Sequence, residues 1–346
     1  MNVTATGTGT SSATASMLFR GSNVGLTGGS ETLDALAIVL RASAAPVVTL
    51  SGGGLSYTEN DPATVIDATA TITDSDSTNF GSGTLTVYLS ANGTVNDRLA
   101  IRNQGTGGGQ IGVSGFNVTY AGILIGTFSG GDDGSTPLAI SLNANATVAA
   151  TQALLRNITY QNVSDNPSTL ARTLTVLLND GGGGSSNLTN KTISVTAVND
   201  EQVLSTNTGM TVLEGSTGNV ITSVMLATTD LDNAGAQLVY TLTGAPANGT
   251  LRRNGINLSM SSTFTQADID AGIVTYLHND SETTSDSFSF TVDDGVGTTS
   301  SGTFNITVTP VNDNAPIITS NGGGATANIN VAENSTAVTT VTATDA

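Results

Sequence analysis

The amino-acid sequence predicts an all-β protein built from tandem Greek-key β-sandwiches in an elongated array. Period-two alternation is the first of three observations behind this. Leu85, Val87 and Leu89 alternate with Thr84, Thr86 and Tyr88, and Leu174, Val176 and Leu178 follow the same rule. Phe288, Phe290 and Val292 alternate with Ser287, Ser289 and Thr291. Each set places apolar groups on one face of a half-buried strand. The second observation is turn chemistry: Asn-Gly pairs begin at Asn92, Asn248 and Asn254, and Asp-Gly pairs at Asp180 and Asp294. Such pairs supply the left-handed residues of tight hairpins. Many short strands punctuated this way read as sandwiches. Helical spacing is weak and confined to Thr147 to Ile158, where Val148, Leu154, Leu155 and Ile158 share a face.

The third observation is internal repetition. An acidic residue follows a short strand at Tyr57-Thr58-Glu59-Asn60, Val212-Leu213-Glu214-Gly215 and Val331-Ala332-Glu333-Asn334. Each copy then reaches Asp74-Ser75-Asp76, Asp230-Leu231-Asp232 or Thr344-Asp345-Ala346. Two copies close on a polar hinge, Val198-Asn199-Asp200-Glu201 and Val311-Asn312-Asp313-Asn314. The boundaries this gives are modules at 46–200 and 201–314, with the truncated start of a third at 315–346. Residues 1–45 read as a strand-rich segment, the end of a preceding repeat. The first module is the longer, with its excess in the Gly-rich stretch between Leu99 and Leu142.

Composition narrows the function. Across 346 residues, 27 acidic side chains face 9 basic ones, for a net charge of −18, and Lys191 is the sole lysine. This balance argues against nucleic acid and anionic membrane surfaces and for cations or a crowded aqueous exterior. No stretch is long enough to span a bilayer, and no secretion signal is visible. Without cysteine there is neither disulfide nor thiolate site. The chain reads as part of a longer exported protein, extracellular or at the cell surface, whose export signal and anchor lie outside it. His278 is the only histidine, so no Ser-His-Asp triad can be assembled. The chain is therefore expected not to be an enzyme. Asp268 and Asp270 read as surface turn acids rather than a glycosidase pair.

Asn and Asp oxygens concentrated where two β-modules meet form the ligand set of a hard cation such as Ca²⁺, which takes six to eight oxygens at about 2.3–2.6 Å. The order Glu, Asp-x-Asp, Asp-x-Glu, Asp-Gly, Asn-Asp-Asn resembles the cadherin repeat, with Asp280-Ser281-Glu282 as the Asp-x-Glu element. The segments Phe264-Thr265-Gln266-Ala267-Asp268 and Gly272 to His278 resemble the cadherin-like repeats of chondroitin sulfate proteoglycans and large bacterial surface adhesins. The resemblance implies immunoglobulin/cadherin-like sandwiches with a calcium cluster at each joint. For the joint after the second module it implies Glu214, Asp280, Glu282, Asn312, Asp313, Asn314 and Asp345 as ligands. For the joint before it, it implies Glu59, Asn199, Asp200, Asp230, Asp232 and Asp294. There the Asp-x-Glu element is not preserved, and only Asp165 lies near its place.

Any one of these motifs taken alone is a plain turn, since Asn and Asp bond their own backbone and tolerate left-handed conformations. Asp74-Ser75-Asp76, preceded by Ala44-Ala45-Pro46 without an acid, reads as such a turn, and Gly130-Gly131-Asp132-Asp133-Gly134 as a loop. The reading that results is a calcium-binding structural and adhesive repeat region, with Ca²⁺ rigidifying the joints. Its partners are neighbouring repeats of a longer chain and a cell-surface protein or glycan. The alternative is a carbohydrate-binding or accessory β-sandwich module of a secreted enzyme, for which Tyr57, Tyr88, Tyr120 and Phe116 are candidate exposed aromatics.

Overall fold

The computed structural model describes residues 2–5, 13–16 and 43–344. Asn2–Ala5 and Ala13–Ser16 pair as an antiparallel ladder in a unit of their own. The remainder is all-β around two hydrophobic cores, one drawn from Val48 to Val195 and the other from Val212 to Val308. No helix among the described residues is long and apolar enough to cross a membrane.

Both cores are wrapped by the same path. A first strand, Val47–Thr49 or Val203–Asn207, pairs antiparallel with Thr71–Thr73 or Leu226–Thr229. The chain then changes layer. Leu55–Thr58 runs parallel to the closing strand Thr189–Thr196, and Met210–Leu213 runs parallel to the closing strand Ser300–Thr309. This parallel register carries the next residue, Glu59 or Glu214, to the end of the module, where its N–H donates to Thr196 O or Thr309 O at 2.9 Å in both cases. The residues that follow, Asn60 and Gly215, turn through left-handed backbone at φ 66° and 63°, conformations that Asn and Gly tolerate best. Alternation predicted which side chains face inward: Leu85, Val87, Leu174, Val176 and Leu178, and Phe288, Phe290 and Val292, are all buried, and Leu89 is half-buried against the same core.

The two sandwiches differ in size. In the second, the five-stranded layer ends at Thr263–Thr265 beside Val239–Gly244. In the first, Leu138–Leu142 occupies the corresponding edge of Thr84–Ala91, and Ile123–Ser129, Asn117–Tyr120 and Ile111–Ser114 extend the sheet to eight strands. These three added strands arise from the Gly-rich stretch. Helix α1 (Val148–Leu155) is capped by the Thr147 side chain, which accepts from Ala150 N–H, and α2 (Gln266–Asp270) precedes the equivalent strand of the second module.

Two expectations change. Asp268 is no surface turn acid: it is buried, closes a capping box with Thr265, and pairs with Arg253 Nε at 2.9 Å. Asp270 is exposed, as expected. Tyr57 is no exposed aromatic. It is buried edge-on against Tyr160 and donates its hydroxyl to Asp61 O and Asn162 O.

The first core also encloses charge. Asp97 and Arg172 are fully buried, with Nε and Oδ2 3.3 Å apart. Asp97 Oδ1 accepts from Tyr160 Oη at 2.5 Å and from Asn162 Nδ2 at 2.7 Å. Burial opposes ionisation of Asp97, but those hydrogen bonds and the Arg172 charge together hold its pKa below the usual carboxylate value. Breaking a buried pair by removing one partner costs about 3–5 kcal/mol, because the other charge is left uncompensated. Asp97→Ala is therefore expected to lower the unfolding free energy of the first sandwich by that amount, seen as a lower urea midpoint, with the second unaffected. A two-probe denaturation curve checks this.

Candidate metal centre

The path shared by the two modules places two equivalent carboxylates at module ends. Glu59 Oε2 accepts from Val198 N–H at 2.7 Å, and Glu214 Oε2 accepts from Val311 N–H at 2.9 Å. Val198 and Val311 each open a hinge, so each module grips its own exit segment through a buried glutamate. Both are nine-tenths buried or more, at 4% and 6% exposure, and in both the second oxygen, Oε1, is buried without a hydrogen-bond partner. An unpartnered buried carboxylate oxygen is costly.

The first joint gathers more oxygens around Glu59. Asp230 Oδ1 accepts from the N–H groups of Asp232 and Asn233, both at 2.8 Å, shaping the Asp-x-Asp turn. Asp232 Oδ2 reaches the preceding hinge and accepts from Asp200 N–H at 2.6 Å. Asn199 Nδ2 donates to Asp294 Oδ2 at 3.0 Å. Asn166, from the loop bearing Asp165, donates across to Asp232 O at 3.1 Å. Asp200 Oδ2 and Asp230 Oδ2 are buried without partners, like Glu59 Oε1.

Electrostatics follow from this crowding. Burial raises the Glu59 pKa above its ordinary 4.5, and repulsion from Asp232, Asp200 and Asp165 adds to the rise, while the Val198 hydrogen bond opposes it. Asp200 is raised by burial and then by Asp232, Asp165 and Asp230. Asp294 moves the other way: burial opposes ionisation, but donation from Val296 N–H and Asn199 Nδ2 outweighs it. Two carboxylates about 4 Å apart repel by roughly 1–4 kcal/mol as the effective dielectric falls from 80 to 20. Asp165, exposed on its loop, is thus electrostatically part of the first joint although it stands where an Asp-x-Glu element is missing.

At the second joint, Glu282 is raised by burial and by the charges of Glu214, Asp313 and Asp280, so these four carboxylates share one neighbourhood. Asn314 Nδ2 donates to Glu282 Oε1. A Cβ on Gly215 would lie 2.3 Å from Asp280 Oδ1, so glycine is what admits that carboxylate. Asn312, Asp313 and Asn314 are exposed. Asp345 lies outside the described residues. Among the described residues no three carboxylate or imidazole side chains converge on one ready-made metal position.

Asp74-Ser75-Asp76 forms the turn expected of it, with Asp74 Oδ1 accepting from Asp76 and Ser77 N–H. Its geometry nevertheless matches Asp230–Asp232. Asp76 Oδ2 accepts from Ala44 N–H at 2.9 Å, and Asp74 Oδ2 is buried without a partner. The repeat order already pairs this copy with Asp230–Asp232, and the shared hydrogen-bond pattern extends the likeness to geometry although no acid stands upstream.

Comparison with known proteins finds the following similarities. Residues 203–308 match the family described as cadherin-like. That segment is similar to a cadherin-like repeat. Human extracellular matrix organizing protein FRAS1 is 37% identical over 142 residues, covering 40% of this chain and 3% of the relative. Human chondroitin sulfate proteoglycan 4 is 36% identical over 117 residues, covering 34% of this chain and 5% of the relative. Extracellular matrix protein 3 of Lytechinus variegatus is 35% identical over 113 residues, covering 32% and 4%. The chain thus spans only a few per cent of these relatives, 3% to 5%. Among solved structures, human CDH23 EC21-23 aligns at TM-score 0.38 and 17% identity, over 87% of this chain and 80% of that one.

The raised carboxyls set the sign of a pH effect. A group whose folded pKa is raised stabilises the fold below its ordinary pKa, and that contribution is lost as pH climbs through the raised value. Above 4.5 the depressed Asp67, Asp74, Asp97, Asp133, Asp268 and Asp294 are already ionised, which leaves Glu59, Asp200 and Glu282 to set the slope. In chelator, thermal stability is expected to fall as pH rises from that value towards neutrality. Calorimetric melts across the window check the slope, and a flat or rising profile contradicts it.

Proposed function

We propose that modules 46–200 and 201–314 and the segment from 315 are successive extracellular repeats whose joints bind Ca²⁺. They would form a structural and adhesive region of a larger matrix or cell-surface protein, with no enzymatic role. The observation carrying this reading is the pair of buried glutamates, Glu59 and Glu214. Each fixes its exit hinge with one oxygen and leaves the other without a donor. The donor set is wholly oxygen, which suits a hard cation.

At the first joint, Glu59, Asn199, Asp200, Asp230, Asp232 and Asp294 would hold the ion, with Asp165 adding charge. At the second, Glu214, Asp280, Glu282, Asn312, Asp313 and Asn314 would do so, and Asp345 would extend the set. The bound ion supplies charge compensation: it offsets the repulsion among carboxylates and gives the orphaned oxygens a partner. The hinge residues contribute their backbone N–H groups, which tie the entering chain to the module it leaves. With the repulsion offset, the joint stiffens and successive repeats hold a fixed relation, as a stalk or matrix strut requires.

Calorimetric titration tests this directly. Ca²⁺ is expected to bind at about 10⁻⁴–10⁻³ M, the range of extracellular modules. Glu59→Gln, which keeps the oxygen accepting from Val198 but removes a charge, should weaken the first-joint site by roughly tenfold or more. Unchanged heats in Glu59→Gln and Asp200→Asn would remove the first joint from the reading. Because ligands must be deprotonated, affinity should also rise between about pH 5 and pH 7.5, with protons released on binding.

A further inference from the structure

We infer that the cleft between helix α1 and the inserted strands of the first sandwich binds an anionic saccharide, a sulfated or uronic sugar. The cleft has a volume of about 390 Å³ and is lined by Arg102, Gln104, Tyr120, Gln152, Arg156 and Asn157 above a floor of small residues that includes Ala149 and Ala153. This size lies within the range of small-ligand sites, about 300–1,000 Å³. In a chain with 27 acidic and 9 basic residues, two arginines line it and no carboxylate does. Asp67, beside the lining residue Ala68, is buried and paired with Lys191 at 2.9 Å.

Hydrogen bonding gives the cleft its polarity. Arg102 Nε donates to Asn157 Oδ1 at 2.8 Å, and Arg156 Nε donates to Ala70 O at 2.7 Å. Each guanidinium is thereby fixed at its base, with both Nη groups free of protein acceptors among the described residues. Gln152 Oε1 accepts from Ile72 N–H, and Gln104 Oε1 accepts from Ile111 N–H. Their amide NH₂ groups are left as donors. Asn157 is used at both ends, since its Nδ2 donates to Ala153 O. The lining therefore offers donors from four side chains, with its amide oxygens already engaged.

A lining of donors selects a ligand rich in acceptors and bearing negative charge. Guanidinium groups pair with carboxylate or sulfate through parallel hydrogen bonds. The two amides and the Tyr120 hydroxyl suit the hydroxyl and ring oxygens of a sugar, which a lone oxyanion lacks. The chain's net charge of −18 opposes anions at long range, but screening over about 8 Å at physiological salt leaves the local arginine pair dominant. Ala149, Gln152, Ala153 and Arg156 follow i, i+3, i+4, i+7 spacing, so one face of α1 and its cap presents this wall.

The test is a calorimetric titration in chelator, which prevents cation bridging, with a heparin-derived disaccharide, lactose and inorganic sulfate as probes. The disaccharide is expected to bind and lactose not to. Arg102→Gln combined with Arg156→Gln should weaken binding by at least about tenfold. Gln152→Glu keeps the acceptor for Ile72 N–H and adds a charge, so it should abolish binding while the melting curve stays unchanged. Absent binding, or equal binding by these variants, overturns the proposal. Sulfate binding as tightly as the disaccharide would reduce the cleft to a simple anion site. An Asp/Glu-rich peptide binding equally well would reassign it to acidic peptides, and either result overturns the saccharide assignment.

Discussion

The joint depends on one hydrogen bond, made twice: a hinge N–H donating to a buried glutamate that sits one residue beyond a parallel strand pair. Thr196 and Thr309 fix the glutamate's backbone, and Val198 and Val311 engage its side chain. The exit of each module is therefore held at the same point where its acidic side chain loses water. Everything else at the joint is a consequence. Withdrawing one carboxylate from water raises the cost of its charge, and the carboxylates grouped around it raise that cost further.

This arrangement ties folding to electrostatics. Each sandwich buries its own apolar core, so most of its stability comes from within the module and the joint carboxylates only modulate it. Between modules the contacts are mostly polar: Asn166 to Asp232, Asp200 to Asp232, Asn199 to Asp294. Such contacts are directional and sensitive to protonation, whereas apolar burial is neither. Under the calcium-binding proposal, a joint made this way would respond to proton and cation concentration while the sandwiches on either side stay folded. The first sandwich adds a second polar feature through its extended sheet, whose inserted strands face α1 and leave arginines where the rest of the chain is acidic.

Much of the fold was legible in the sequence because alternation and turn chemistry are local. Val274–His278, within a segment singled out for its resemblance, forms a strand, and the weak helical spacing after Thr147 forms α1. Misreadings came where local chemistry and tertiary position diverge. Asp268 looks like a surface acid but caps a buried helix start, and Tyr57 occupies an outward-seeming position beside Thr58 yet fills the core. Asp165 lacked the expected motif, and only its neighbours in space bring it into the first joint.

The sequence alone determined the β class, the repeated order of acids, and the strands that supply each core, because periodicity of two and Asn/Asp turn preferences act over a few residues. Tertiary structure decided which carboxylate oxygens end up buried without donors, and that Asp74–Asp76 shares the geometry of Asp230–Asp232. It also decided that Arg102 and Arg156, 54 positions apart by number, line one cleft. Those outcomes depend on desolvation and on contacts between distant segments, and neither is encoded in the spacing of residues along the chain.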